Sequence, residues 1–248
     1  MCWSGEASTV LAMVGLGTTA YAAYKKDPPV LWMTLGYFSL MEALQAYTYA
    51  VIDRCDHPGN QIATLLGYLH IVFQPFFINA ISLYFVPEHI QKAVRIPVYT
   101  LCFVSAILML IQLYPFDWAG ACVPGSPLCG PQLCSVHGNW HIAWQVPSNG
   151  IFGFFENTRL HILHDGYPTY ALVAILLPLF YGSWKFTVYH YVMGPFAAAL
   201  TTNNPNEWPA VWCLLSIGFL LIVLKTPLRQ WLHVQRWVLW PKRMETFS

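Results

Sequence analysis

The stretch IATLLGYLHIVFQPFFINAISLYFV, residues 62–86, contains no Asp, Glu, Lys or Arg. A helix of this length would be roughly 37 Å long at about 1.5 Å per residue, enough to cross a bilayer core of about 30 Å. Six further apolar stretches resemble it, and residues 167–200 divide best into two spans with a tight turn near Gly182, because a single helix would be too long. We predict an all-α bundle of seven transmembrane helices at residues 7–24, 29–52, 62–86, 96–116, 167–184, 186–201 and 208–224.

The composition agrees with a chain that resides in lipid. Apolar residues make up 56% and charged residues 9% of the sequence, whereas soluble domains carry roughly 25% charged residues. A net charge of +1 argues against nucleic acid as a partner. We therefore expect one transmembrane domain over residues 1–248, in the plasma membrane or an endomembrane, with the lipid bilayer as its main partner and a homo-oligomer left open.

The basic residues predict the orientation. Ten of the 12 Lys and Arg residues fall in gaps that would share one side of the membrane, and only Arg54 and Arg159 fall on the other side. Basic residues are in excess in cytoplasmic loops of multi-pass proteins. The N-terminus is therefore expected outside or in a lumen, and the C-terminus in the cytoplasm.

One long outer loop, residues 117–166, connects the fourth and fifth predicted helices. Its residues 151–164 have apolar and polar faces typical of an interfacial helix lying on the membrane. The outer cysteines suggest disulfide bonds, with the pairing left open among Cys2, Cys55, Cys122, Cys129 and Cys134.

Polar groups inside predicted spans are the first functional candidates, because they are costly in lipid. Glu42 lies in the second span and His70 in the third, and either could act as an acid or base. On the second span, Ser39, Gln45 and Tyr49 form a polar stripe with Glu42 at helical spacing, and on the third span Gln74 shares a face with His70. The two helices are expected to pack antiparallel, so these polar faces can meet and border a polar cavity. Pro75 is expected to kink the third helix and release the Ile71 carbonyl. A structural hydrogen-bond network between helices is the competing explanation.

Histidines predict a metal site at the outer side. His137 and His141 form an HxxxH pair that would share a helical face, His161 and His164 form a second pair, and His70 could join them. Imidazoles suit zinc, copper or iron, and an open coordination position would activate water. Solvated surface histidines are the plainer alternative.

Two other features are expected to be structural. Small residues recur nearly every fourth position in the first span, at Ser8, Ala12, Gly15, Thr19 and Ala23, and would let another helix approach closely. Glu207 follows a turn-rich segment and is expected to cap the start of the seventh helix.

The general plan is similar to that of membrane hydrolases of the alkaline ceramidase type. That resemblance ends at the plan, because those enzymes carry an HxxxH in the last span and this chain has no histidine there. A rhodopsin would need a lysine in the middle of the seventh span, whereas Lys225 lies at its end.

The leading function from the sequence is a metal-dependent membrane enzyme, a hydrolase rather than an oxidase, that acts on a lipid or other apolar substrate from the outer leaflet. One alternative is a proton-coupled transporter or channel in which Glu42 and His70 titrate. A second alternative is a receptor or structural subunit of a membrane assembly.

Overall fold

The computed structural model describes residues 3–152, 167–215 and 218–240. The protein is mostly helical, with 67% of it in helices. The first half contains α1 Gly5–Tyr24, α2 Pro29–Val51, α3 Pro58–Tyr84 and α4 Glu88–Ile111. The second half contains α5 Pro168–Phe180, α6 at residues 184–201, α7 Pro205–Val223 with residues 216–217 not described, and α8 Pro227–Leu232.

The first seven helices overlap the seven predicted stretches, although α4 begins eight residues before its predicted start and α8 was not predicted. The chain turns between α5 and α6 at Gly182, whose φ of +98° favours glycine. Among the described residues, three helices are long and apolar enough to cross a membrane: α3, α4 and α7. In α1 and α2, frequent Gly, Ser, Thr and Tyr residues reduce the apolar character. Three of the seven predicted spans therefore have the length and apolarity that crossing requires.

A β-hairpin lies in the long loop, and the all-α prediction misses it. Strand β1 is Cys134–His137, strand β2 is Ile142–Gln145, and they pair antiparallel with Ser135 opposite Trp144. Ile142 and Trp144 are buried and join the main core cluster of the bundle. We call the end of the bundle that carries these strands the hairpin end. The interfacial helix predicted for residues 151–164 lies almost entirely outside the described residues.

Two cysteine pairs at disulfide distance tie this loop down. Cys55 pairs with Cys134, with Cα atoms 5.1 Å apart, and Cys122 pairs with Cys129 at 5.8 Å. The first pair attaches β1 to the α2–α3 connection. Cys2, the remaining candidate, lies outside the described residues.

Consecutive helices pack side by side, and α1 approaches α2 closely. A Cβ atom added at Gly15 would lie 2.1 Å from Ser39 Oγ, so only glycine fits there. Ser8 and Ala12 of the predicted small-residue row are also buried. The expectation of close helix packing along this row is confirmed.

Prolines lie inside two neighbouring helices, and the Asn79 side chain connects these helices. Pro75 lies inside α3, and α5 contains a π-helical turn, Leu172–Leu176, just before Pro178. Asn79 Nδ2 donates to the carbonyls of Pro75 at 2.9 Å and Val173 at 3.0 Å. The side chain thereby links α3 to α5 and satisfies the Val173 carbonyl, which has no N–H donor at Pro178 in the π-helical turn.

Candidate functional site

The predicted polar stripe of α2 faces the inside of the bundle. Ser39, Glu42 and Gln45 are buried, and Tyr49 is half-buried. Ser39 Oγ donates to the Leu35 carbonyl at 2.7 Å, and Gln45 Nε2 donates to the Ala210 carbonyl of α7 at 3.5 Å. We call these four residues the α2 seam, and they lie between α1, α7 and the hairpin end.

Glu42 is the one acidic residue of this seam, and its side chain is 3% exposed. Neither carboxyl oxygen has a hydrogen-bond partner, although the Ser8 hydroxyl lies beside the group. A cavity of about 10 Å³, bordered by Glu42, Ser39 and Gly15, adjoins the carboxyl group. That volume is close to the smallest that holds one water molecule.

The seam ends at His141, which precedes β2. His141 is 0% exposed, and its Nδ1 lies 3.0 Å from the Tyr49 hydroxyl and accepts the Ile142 N–H at 2.7 Å. Two donors on Nδ1 place the ring proton on Nε2, which has no partner. Burial lowers the pKa of His141 to about 3. The ring is therefore a neutral hydrogen-bonding group at neutral pH.

Burial of a neutral histidine has a consequence for acid stability. Between about 3 and the ordinary value of 6.5 the unfolded chain binds a proton at His141 that the folded protein excludes, so we expect stability to fall as pH decreases through that range. Thermal unfolding of the purified protein at several pH values in this range measures the decrease in stability. His141→Asn, which preserves an acceptor near the Nδ1 position, should reduce the slope with pH. The exposed His89→Asn should leave it unchanged, and equal slopes in all three proteins would contradict the assignment.

His137 does not share a face with His141, because the pair lies across a hairpin turn rather than on a helix. Gly138 N–H donates to the His141 carbonyl at 2.9 Å, closing the turn. His137 N–H donates to Asp53 Oδ1 at 2.8 Å, and its ring pairs with the other oxygen of that carboxylate. Partial burial raises the pKa of Asp53, but the hydrogen bonds and charge of His137 outweigh it and hold the pKa below its ordinary value. His137 is therefore half-exposed and paired with an acid.

Glu207 has a different role from the predicted helix cap. It is 0% exposed, and it accepts the backbone N–H groups of Asn139 at 2.7 Å, Trp140 at 2.8 Å and His141 at 2.8 Å. The Thr202 hydroxyl donates to it at 3.2 Å. The cap is supplied by Asn204, whose side chain accepts the Asn206 N–H at 3.1 Å. Glu207 instead fixes the hairpin turn to the start of α7.

His70 lies against aromatic rings rather than beside Glu42. Its ring stacks on Tyr37 with centroids 4.0 Å apart and meets Phe38 edge-on, and its Nε2 has no hydrogen-bond partner. The Tyr37 hydroxyl donates to the His70 carbonyl. This carbonyl is one residue before that of Ile71, which Pro75 was expected to release. The Cys213 thiol lies near both Glu42 and Tyr37.

The predicted metal ligands do not form a cluster within the described part of the chain. Across residues 3–152, 167–215 and 218–240, no group of three or more His, Cys, Asp or Glu residues is placed to hold a metal ion. His70, His137 and His141 each have the separate surroundings given above. His161 and His164 lie outside the described residues.

An aromatic cleft of about 120 Å³ opens near the hairpin end. It lies between α3, α5 and α7, with Pro127 and Leu128 of the long loop on one side. Its lining is mostly apolar and includes Gln74, Tyr167, Tyr170, Ala171, Trp208 and Trp212. We call this the aromatic cleft.

Two polar groups reach the aromatic cleft. Gln74 is buried, its Oε1 accepts the Tyr170 hydroxyl, and its Nε2 has no partner. The Tyr167 hydroxyl lies beside the hydroxyl groups of Tyr68 and Ser148. The cleft therefore combines aromatic walls with a small number of polar groups, as ligand pockets commonly do.

Comparison with known proteins gives a family and no further relative. A family model matches residues 6–233, nearly the whole chain. The chain belongs to DUF5765, a family of unknown function. No curated protein and no solved structure matches the chain.

Sequence reasoning missed the aromatic cleft and the role of Glu207. The cleft draws on residues more than a hundred positions apart, such as Ile71 and Trp212, so no local pattern indicates it. Asn79 could have been found, because it is a strongly polar residue inside a predicted span, as His70 and Gln74 are. Nothing in the local pattern near Glu207 indicates that it binds backbone groups 66–68 residues away.

Proposed function

We propose that this protein is a seven-span membrane protein that binds an apolar, lipid-like molecule in the aromatic cleft. The observation that carries the proposal is the cleft itself, with its aromatic walls and the unpaired Gln74 Nε2. The apolar part of a ligand would be held by the rings, and a carbonyl or hydroxyl on it would accept from Gln74. A lipid or other apolar molecule is also the class of substrate expected from the sequence.

Contacts among the helix ends support the proposed topology. Lys225 pairs with Asp27 at 2.9 Å, and Lys185 Nζ donates to the carbonyls of Trp231 and His233. Val234 N–H donates to the Phe85 carbonyl, so the basic connections meet at one end of the bundle. Both cysteine pairs belong to the opposite, hairpin end. By the positive-inside rule the hairpin end would face outside or a lumen, and the cleft would lie at the depth of the outer leaflet.

Geometry favours binding over metal-dependent hydrolysis as the proposal. Water activation would need several of His70, His137 and His141 on one ion, and each of these has a different neighbour in the structure. A binding role needs only the cleft. Identification of the molecule bound in the cleft would show whether it is a cargo, a signal or a substrate.

Filling the cleft tests the proposal. Ala171 borders the cleft, whereas the next residue, Leu172, is 44% exposed and does not border it. We expect nitroxide-labelled stearic acid to quench tryptophan fluorescence saturably in the wild type, because Trp208 and Trp212 line the cleft. Ala171→Phe should weaken this binding at least about tenfold, or about 1.4 kcal/mol.

Leu172→Phe is the matched control, since it adds the same ring one position away on the same helix. It should bind the labelled fatty acid as the wild type does. Melting temperatures of both variants establish that they are folded. Equal saturable quenching in Ala171→Phe and Leu172→Phe, or quenching without saturation in the wild type, would refute the cleft as the binding site.

A further inference from the structure

The protein buries two glutamates in very different surroundings. Glu207 accepts four hydrogen bonds, three of them from backbone N–H groups, as an ionised carboxylate would. Glu42 is 3% exposed, its oxygens meet no backbone N–H group, and the Ser8 hydroxyl is the polar group beside it. A buried carboxylate without donors or a cation is strongly disfavoured, whereas a protonated carboxyl group is neutral and far less costly to bury.

No cation compensates Glu42 within the described residues. The ion pairs found there join Lys92 to Glu88, Lys225 to Asp27 and His137 to Asp53. The elements packed around Glu42 contribute neutral groups: Ser8 from α1, Cys213 and Leu220 from α7, and Leu35 and Tyr49 from α2 itself. Beyond Tyr49 lie the neutral ring of His141 and the acid Glu207, whose negative charge would oppose a second one nearby.

Polar atoms continue from Glu42 toward the hairpin end. One helical turn along, Gln45 is 0% exposed and its Oε1 has no partner. One further turn along, the Tyr49 hydroxyl meets His141 Nδ1. The ring of Trp3 stacks on the ring of His141, with their centroids 5.9 Å apart. These groups form a column with few hydrogen bonds of its own and a water-sized cavity at its inner end.

We propose that Glu42 is a proton-binding site, neutral as the carboxylic acid at neutral pH, which exchanges its proton with water at the hairpin end along Gln45, Tyr49 and His141. In that exchange the carboxyl O–H bond breaks, the electron pair stays on Glu42 as carboxylate, and water at the hairpin end takes up the proton. The site is independent of the aromatic cleft, so either proposal can fail alone. His70 has no part in it.

Infrared spectroscopy of the purified protein tests the protonation state directly. The C=O stretch of a protonated carboxyl group is separate from the bands of an ionised carboxylate and shifts when its proton is replaced by deuterium. We expect such a band in the wild type at neutral pH, its loss in Glu42→Gln, and its persistence in Glu88→Gln. Glu88 is the control because it is exposed and paired with Lys92.

Two measurements use only the wild type, so the test does not depend on folding of Glu42→Gln. The band should decrease reversibly as pH is raised, and sodium chloride should have no more effect than choline chloride at constant pH. Absence of the band at neutral pH, or its persistence in Glu42→Gln, would overturn the proposal. Selective loss of the band with sodium would also overturn it, because the carboxylate would then hold a metal cation.

A separate variant, Tyr49→Phe, tests the route of proton exchange. Tyr49→Phe removes the hydroxyl that meets His141 and keeps the ring, so we expect slower deuteration of the Glu42 band than in the wild type. The control is Tyr47→Phe, which alters an exposed tyrosine of the same helix. Equal deuteration rates in Tyr49→Phe and wild type would refute the route through Tyr49.

Discussion

Replacing Glu207 with alanine is expected to destabilise the protein by about 3–5 kcal/mol, since a buried donor that loses its partner costs roughly 1–3 kcal/mol. Three consecutive backbone N–H groups, those of residues 139–141, would lose their acceptor together. The His141 amide is fully buried, whereas Asn139 is exposed and water can replace its lost bond. Because water replaces one of the three lost hydrogen bonds, the expected destabilisation is smaller than that of three fully buried donors without partners.

Thermal unfolding in detergent measures the effect, and Glu88→Ala is the control. Glu88→Ala also removes a charged partner, that of Lys92, but this ion pair is exposed. The melting temperature of this variant should therefore stay near that of the wild type. Amide hydrogen exchange supplies a local readout: residues 139–141 should lose protection in Glu207→Ala while the middle of α3 keeps it. Similar melting temperatures for the two alanine variants would show that the Glu207 contacts contribute little.

The hairpin end is held by long-range contacts in addition to Glu207. Asn60, fully buried at the start of α3, donates to the carbonyls of Val51 at 2.9 Å and Ser135 at 2.8 Å, and accepts the Ser135 N–H at 2.9 Å. One amide side chain thus joins the end of α2 to β1. Together with Glu207 and the Tyr49–His141 contact, it positions the hairpin over the α2 seam. A rigid cover of this kind would let the seam communicate with water only at defined points.

Local patterns in the sequence were sufficient for the helices and for the inward stripe of α2. Residues 39, 42, 45 and 49 recur at helical spacing, and all four lie inside the bundle. Their partner was not predictable from spacing alone: the stripe was expected to meet His70 and Gln74, but it faces α1, α7 and His141. A helix face specifies which residues share a side, whereas the rotation of neighbouring helices depends on close contacts such as Gly15 against Ser39.

The hairpin was harder to predict because its signals are short and its partners are distant. Each strand has four residues, too few for a clear alternation. The HxxxH spacing of His137 and His141 suits a helix face as readily as the two ends of a turn. What decides between them is distant in sequence: Asn60, Cys55 and Glu207 fix the strands from 66 to 79 residues away. Such contacts leave no trace in a local window.

Loss of the Cys55–Cys134 pair is expected to destabilise the protein by about 4.5 kcal/mol, on the chain-entropy relation for a closed loop of this size. The two cysteines are separated by 79 positions, and the loop they close contains α3 and α4. Cys55→Ser is the suitable change, because Cys134 is fully buried and its replacement would also disturb packing. Thermal or denaturant unfolding in detergent measures the loss, and mass spectrometry establishes that Cys134 is then free.

Cys122→Ser is the matched control, because its pair closes a loop with a separation of only 7. The same relation gives about 2 kcal/mol for it. The order of the two effects therefore separates restriction of the unfolded chain from a mere loss of local packing, which would not depend on loop size. A Cys122→Ser variant as unstable as Cys55→Ser would contradict the entropic account. A stable Cys55→Ser variant would instead show that Asn60 and Glu207 suffice to hold the hairpin against the helices.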